Sequence, residues 1–139
     1  MKYKFPNTSN NEWIDKYNEL IEDVTPYEKE RLLILKDKYI PESMLKGPVD
    51  GPISAHHIIP RSLHPELTKV KDNIIYVTFS EHMNLHYYLW KADSKYASQL
   101  WFGCVYGRKH NLWDLPGGED EYKILKRDVN EYRKRKKSQ

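Results

Sequence analysis

Four histidines spaced like metal ligands restrict the folds open to this chain more than any other feature of its sequence. His56 and His57 are adjacent in the apolar run AHHIIP, and His82 and His86 are four residues apart in EHMNLHYYLW. Side chains four residues apart share one face of a helix, whereas neighbours in a strand point to opposite faces. We therefore expect one strand histidine and two helix histidines to converge on a metal ion, which leaves the other strand histidine free as a base.

The residues around these histidines predict a small ββα unit. The run ISAHHIIP is a short apolar strand stopped by Pro60, and NIIYV is β-branched and aromatic, as strands are. The polar stretch RSLHPELTKVKD between them predicts a loop. Thr78 and Glu81 form the capping box T-x-x-E in front of the helix EHMNLHYYLWKA.

Helical segments are expected before this unit. The run SNNEWIDKYNELIEDV carries apolar residues at helical spacing behind Ser9 or Asn10 as its cap. The segment TPYE at residues 25–28 predicts a second capping box, which opens a helix that ends before Pro41. The following run KGPVDGP predicts a loop and the best internal boundary of the chain.

Helices are also expected after the unit. One runs roughly from Ser94 to Tyr106 and is closed by Gly107, and RKHNLWDLPGGED then predicts a turn-rich loop. We therefore expect an α+β fold with an N-terminal helical segment (1–46), a ββα core (47–92) and a C-terminal helical segment with a basic tail (93–139). The last helix has a single apolar stripe, formed by Tyr122, Leu125, Val129 and Tyr132.

The tail YRKRKKSQ is the most basic segment of a chain whose net charge is only +3. Lys and Arg side chains attract polyanions and release counterions on binding, which indicates contact with nucleic acid. A solvated charged tail is the competing interpretation. The candidate contacts are Arg133, Lys134, Arg135, Lys136 and Lys137.

Composition excludes several other classes of protein. Cys104 is the only cysteine, so neither an internal disulfide nor a CxxC zinc ribbon can form. No apolar run approaches the roughly 18–20 residues that cross a bilayer, and the N-terminus has no apolar signal sequence. We therefore expect no membrane partner and a cytoplasmic location.

Three histidines with open coordination positions are typical of catalytic metal sites, because water and substrate must also bind. Neutral imidazole suits Zn²⁺, Ni²⁺ or Mn²⁺ better than Mg²⁺, although water and phosphate can supply the oxygens that Mg²⁺ prefers. A single histidine such as His82 or His86 would more often be a packed core or surface residue. The combination indicates metal-assisted phosphodiester hydrolysis.

Two polar residues near the histidines complete the candidate site. Asn73, whose amide both donates and accepts, can tie the loop to the first strand and hold His57 in place, and a simple turn asparagine is the alternative. Arg61 follows HHIIP and is placed to bind a phosphate bidentately, and a solvated loop arginine is the alternative. We count both among the candidate catalytic residues, and Arg61 also among the candidate nucleic-acid contacts.

The window from Ala55 to Trp90 resembles the HNH endonucleases, the ββα-metal (His-Me finger) group, in the form found in phage-encoded and homing-type proteins. The likeness rests on HHIIPRS, on an asparagine before an apolar strand and on EHxxxH. It implies a ββα-metal centre with flanking α-helices, one divalent metal ion, and cleavage of double-stranded DNA.

The resemblance also implies a role for each residue of the motif. His57 is the general base that activates water. His56 takes the first metal position, where relatives often have an aspartate, and His86 and His82 complete the metal site. Asn73 is a structural clamp rather than a ligand.

Two other functions remain open. In a non-catalytic nucleic-acid-binding module the metal would only stabilise the domain, and His57 would not reach a water near it. A helical interaction protein with structural histidines would bind no stoichiometric metal, and its aromatic helices are more simply explained as core. For a nuclease, one site per chain allows nicking by a monomer or double-strand cleavage by a homodimer.

Overall fold

A two-stranded antiparallel sheet followed by a helix carries the four clustered histidines in the computed structural model, which describes residues 1–36 and 52–137 and the side chains as far as residue 135. Strand β1 is Ser54–His57 and strand β2 is Ile74–Val77, with His56 opposite Ile75. The helix that follows, α3, is Phe79–Ala92. Sheet and helices together give the mixed architecture expected of the α+β class.

Four further α-helices flank this unit within the described residues. Two precede it, α1 (Glu12–Val24) and α2 (Glu28–Leu35), and two follow it, α4 (Ala97–Lys109) and α5 (Gly118–Lys137). None of the helices in residues 1–36 and 52–137 is long and apolar enough to cross a membrane. The expected boundary between residues 46 and 47, and the KGPVDGP loop up to residue 51, lie outside the described residues.

The capping box in front of α3 is confirmed. The Thr78 hydroxyl accepts from the Glu81 N–H at 3.3 Å, and the Glu81 carboxylate accepts from the Thr78 N–H at 2.9 Å. Arg31 of α2, which is buried, also binds both carboxylate oxygens of Glu81, at 2.7 and 2.9 Å. The start of the histidine-bearing helix is therefore fixed by a bidentate ion pair from a distant helix.

The cap of α1 differs from the one expected. Asn11 is the cap, and its Oδ1 accepts from the Trp13 N–H at 2.8 Å. Asn10 adopts a left-handed conformation with φ of 56°, which asparagine tolerates in turns. Ser9 and Asn10 therefore belong to the turn that precedes the helix.

The capping box expected at residues 25–28 is wrong. The Thr25 hydroxyl donates to the Ile21 carbonyl at 2.7 Å, so it binds back into α1 instead of capping α2. The Glu28 carboxylate is engaged by the Lys2 ammonium at 2.6 Å. Residues 25–27 consequently form one 3-10 turn that joins α1 to α2 without a break.

Gly107 does not end the helix that contains it. Helix α4 continues to Lys109, and a Cβ built on Gly107 would lie 2.9 Å from the Trp113 carbonyl oxygen. The absence of a side chain at this glycine therefore lets the following loop pack close to the helix. Its position near the helix end does not reveal this role.

The apolar stripe of α5 is shorter than expected. Tyr122, Leu125 and Val129 are buried, whereas Tyr132 is 38% exposed. The helix therefore leaves the core after Val129.

Two apolar clusters within the described residues pack against the ββα unit. In the first, Tyr17 and Ile21 of α1 pack with Ile75 of β2 and Leu85 and Leu89 of α3. In the second, α3 packs against α4 and α5. Helix α1 therefore touches both the sheet and the helix that carry the histidines, so it sets their relative position.

Candidate metal centre

Three histidines converge between β1 and α3, and we call His56, His82 and His86 the histidine cluster. One ring nitrogen of each lies within 4.8 Å of one ring nitrogen of the others. The ring centroids are 5.1 Å apart for His56 and each helix histidine, and 4.7 Å apart for His82 and His86. The three side chains are close enough to bind one metal ion.

Strand and helix periodicity account for this convergence. His56 is 3% exposed and faces α3, while its neighbour His57 is less buried, as alternation along a strand requires. His82 and His86 lie one helical turn apart on the face of α3 that packs on the sheet. The sequence expectation that three of the four histidines meet is confirmed.

Tyr17 determines which nitrogen of His56 is free. The Tyr17 hydroxyl donates its one hydrogen to the Ile58 carbonyl at 2.7 Å, and it also lies 2.7 Å from Nε2 of His56. The hydroxyl must therefore accept from His56 Nε2–H. Nδ1 of His56 is left with its lone pair available for a metal, and the ring is held by a fully buried tyrosine.

The two helix histidines differ in their surroundings. Nδ1 of His82 is 2.8 Å from the Ser54 hydroxyl, at the start of β1. Nδ1 of His86 is buried, and no other buried side-chain nitrogen or oxygen of the described residues lacks a hydrogen-bond partner. An unpaired buried polar atom is costly, and a cation bound at the cluster would give the imidazole a partner.

All three clustered histidines are neutral at neutral pH. Burial, followed by the nearby His86 and His82 and then His57, holds the pKa of His56 well below its ordinary value. Burial lowers the pKa of His82 to about 4, and burial together with His82 lowers the pKa of His86 to about 3. Neutral imidazole is the form that binds metal. The three histidines can therefore bind a metal ion without first losing a proton.

An open cavity adjoins the cluster. It has a volume of about 180 Å³ and is lined by the cluster itself together with His57, Arg61 and Gln99. Three imidazoles, one buried and two partly buried, with space beside them fit a transition-metal ion that keeps coordination positions for water or substrate. We call this space the histidine cavity.

His57 lines the histidine cavity without belonging to the cluster. Its Nε2 lies 3.0 Å from the Thr68 carbonyl oxygen, and because a carbonyl only accepts, Nε2 must carry the hydrogen. Nδ1 therefore holds the lone pair of the neutral ring. A histidine fixed in one tautomer by a backbone carbonyl is arranged as a general base is in enzymes.

Asn73 ties the two ends of the loop between β1 and β2 together. Its Oδ1 accepts from the Ile59 N–H at 2.8 Å, and its Nδ2 donates to the carbonyls of Ile59 at 3.1 Å and Leu67 at 3.3 Å. The side chain is fully buried, and its hydrogen bonds go to Ile59 and Leu67 and not to His57. Because Leu67 precedes Thr68, the clamp holds the segment whose carbonyl orients His57.

The remaining candidate residues lie at the surface. Arg61 is exposed, lines the histidine cavity and makes no ion pair within the described residues. Arg133, Lys134 and Arg135 are exposed in the last turns of α5, and Lys134 pairs with Glu131 at 3.8 Å. The side chains of Lys136 and Lys137 lie outside the described residues.

Sequence reasoning did not identify the residues that support the histidines. Tyr17, Ser54 and Thr68 contact His56, His82 and His57 respectively. Ser54 lies in the same strand as His56 and Thr68 in the connecting loop, so a search for hydroxyl and carbonyl partners near the motif could have found them. Tyr17 is remote in sequence, and its helical apolar spacing indicates only a core residue.

We expect the metal-free protein to lose stability steeply as the pH falls below about 6.5. Burial lowers the pKa values of His82 and His86 to about 4 and about 3. The unfolded chain therefore binds protons in this range that the folded chain does not, so unfolding becomes easier as pH falls. Each group accounts for up to about 2 kcal/mol at pH 5. Urea denaturation at pH 7 and pH 5 measures the difference.

The matched control for this titration is His64→Gln, because His64 is an exposed loop histidine paired with Glu66. This variant should keep the pH dependence of the wild type. An unchanged free energy of unfolding for the wild type between pH 7 and pH 5 would contradict the expectation.

Comparison of the chain with protein-family models, with curated proteins and with solved structures finds no match.

Proposed function

We propose that this protein is a metal-dependent endonuclease of the HNH type, with a ββα-metal centre, that hydrolyses phosphodiester bonds of double-stranded DNA. The observation that carries the proposal is the position of His57, which lines the same cavity as the histidine cluster yet stays outside it. A base beside a metal site is the pair of functions that phosphodiester hydrolysis needs. The choice of DNA as substrate rests on the resemblance of the motif to HNH endonucleases.

Each residue then has a task in the reaction. His57 uses Nδ1 to take a proton from a water that attacks the phosphorus, while Thr68 holds the ring through Nε2. Arg61 binds non-bridging phosphate oxygens at the rim of the cavity. Asn73 keeps the loop that bears Thr68 in place. A divalent ion held by the histidine cluster would supply charge stabilisation at the phosphate and the leaving oxygen.

The donor set decides which metals suit the centre. Three neutral imidazole nitrogens favour Zn²⁺, Ni²⁺ or Mn²⁺, whereas Mg²⁺ would depend on oxygens from water and phosphate. The three candidate ligands are all histidines, and no carboxylate is among them. We therefore propose a transition-metal enzyme, with Mg²⁺ as the weaker activator.

The deciding experiment is cleavage of supercoiled plasmid by the purified protein with Mn²⁺, Ni²⁺, Zn²⁺, Mg²⁺ or EDTA. We expect nicked or linear product with at least one transition metal and none with EDTA, because the proposed mechanism depends on the metal as Lewis acid. Nicked product would indicate a monomer, and linear product without a nicked intermediate would indicate a homodimer.

Absence of cleavage with every metal would overturn the nuclease. If DNA and metal binding persisted, the protein would instead be a metal-stabilised nucleic-acid-binding module. If no stoichiometric metal bound, the histidines would be structural.

A further inference from the structure

The histidine cavity borders a second hollow. This hollow has a volume of about 170 Å³ and lies between the loop after β1 and the start of α4. Gln99, in the first turn of α4, lines both spaces, and the adjacent residues Arg61 and Ser62 line one each. The two hollows border each other at Gln99, and we call them together the groove, which begins at the histidine cluster.

The far end of the groove combines a cation, a hydroxyl group and aromatic surface. It is lined by Lys95, Ser98 and Tyr132. Lys95 is exposed, and Tyr132 is 38% exposed although it lies on a helix whose preceding apolar residues are buried. The exposed residues Arg133 and Arg135 follow Tyr132 directly, so the groove leads from the histidine cluster towards the basic end of α5.

We infer that this groove binds one strand of DNA on one side of the cleaved phosphodiester, with Lys95 and Ser98 at a neighbouring phosphate and the Tyr132 ring against a sugar or base. This inference rests on the proposed function and names the path of its substrate. Cations at both ends, Arg61 and Lys95, complement a chain of phosphates. The Gln99 amide and the two serine hydroxyls between them donate hydrogen bonds to phosphate and sugar oxygens, as such side chains do in nucleic-acid complexes.

The size of the groove agrees with a strand that lies across it. The two hollows have volumes of about 180 and 170 Å³. Each is therefore smaller than the roughly 300–1,000 Å³ of pockets that enclose a whole small molecule. Such hollows suit single phosphate or sugar groups. An exposed aromatic ring beside a basic track is the arrangement by which proteins hold nucleic-acid strands without sequence preference.

One acidic residue lies beside the groove. Asp93 is 3.7 Å from the Lys95 ammonium, and both side chains are about half exposed. The ammonium also lies 5.2 Å from the centroid of the Tyr96 ring. Exposed contacts of this kind contribute little, so a phosphate can compete for the ammonium. Asp93 also accepts from the backbone N–H of Lys95, which keeps its carboxylate turned towards the 3-10 turn of Ser94–Tyr96.

The test measures binding of a fluorescein-labelled DNA duplex by fluorescence anisotropy in EDTA at several KCl concentrations. We expect Tyr132→Leu to weaken binding about fivefold or more, whereas Tyr132→Phe keeps it. Lys95→Gln should lower the slope of log affinity against log salt by about one. Lys123→Gln, the same charge change at an exposed position of α5 outside the groove, should leave both quantities unchanged.

A parallel assay separates the groove from the catalytic centre. Hydrolysis of bis(p-nitrophenyl) phosphate, which is too short to occupy the groove, should be unchanged in Tyr132→Leu and Lys95→Gln. Groove variants that bind DNA like Lys123→Gln would overturn the inference even if the wild type cleaves both substrates. Weakened binding in the groove variants, with no hydrolysis by the wild type, would support the groove and overturn the nuclease.

Discussion

Replacement of His57 by alanine is expected to lower plasmid cleavage by about 10²- to 10⁴-fold, the contribution of a positioned general base. His57 lines the histidine cavity, and its Nε2 is committed to the Thr68 carbonyl, so Nδ1 is the nitrogen that would take the proton. Metal affinity should stay as in the wild type, because His57 is outside the cluster of possible ligands. Single-turnover cleavage and calorimetric metal titration measure the two effects separately.

His64→Ala is the matched control for this variant. His64 lies in the loop that follows β1, is exposed, and pairs with Glu66 at 2.8 Å, so its loss should leave cleavage unchanged. Activity that survives His57→Ala would show that another group removes the proton. Loss of both metal binding and cleavage would show that His57 is a metal ligand. The general base would then have to be another residue.

Much of the candidate site could be predicted because its geometry is local. Strand alternation is enough to separate His56 from His57, and helical spacing is enough to pair His82 with His86. The Thr78–Glu81 capping box marks the helix start from four consecutive residues. These patterns depend on backbone periodicity alone, so no knowledge of the tertiary structure is required.

The wrong predictions concern two local motifs whose residues contact distant parts of the chain instead. The segment at residues 25–28 has the letters of a capping box, yet the Lys2 ammonium takes the Glu28 carboxylate. Gly107 lies where a glycine often ends a helix, yet the helix continues past it. A glycine is needed there because the Trp113 backbone packs too close for a side chain. A local motif can be satisfied in two ways, and only the packing of remote segments decides between them.

The supporting contacts of the centre are also non-local, which explains why they carry no motif. Tyr17 lies on α1 and Arg31 on α2, whereas the groups they bind, His56 and Glu81, lie in the ββα unit. The flanking helices therefore do more than cover the core, since they orient one histidine of the cluster and the start of the helix that bears the other two. The rigidity of the ββα unit depends on such contacts.

The second large effect is expected on metal affinity. It is measured with two variants, one of the candidate ligand His86 and one of Tyr17, which orients the candidate ligand His56. His86→Ala removes one of three nitrogens, so its loss of affinity should far exceed the 10- to 100-fold typical of a supporting residue. Tyr17→Phe should fall within that supporting range, because His56 keeps its place but loses the acceptor that fixes Nε2–H. Titration with Zn²⁺ or Ni²⁺ by calorimetry gives both affinities, with circular dichroism as a check on folding.

His110→Ala provides the control for these titrations, since His110 is an exposed histidine whose ring lies 4.3 Å from that of Tyr106 and which does not belong to the histidine cluster. It should bind metal like the wild type. Equal affinities for His86→Ala and wild type would mean that the cluster holds no metal. A Tyr17→Phe affinity equal to the wild type would mean that burial alone orients His56, and the centre would then owe its geometry to packing and not to the hydrogen bond from α1.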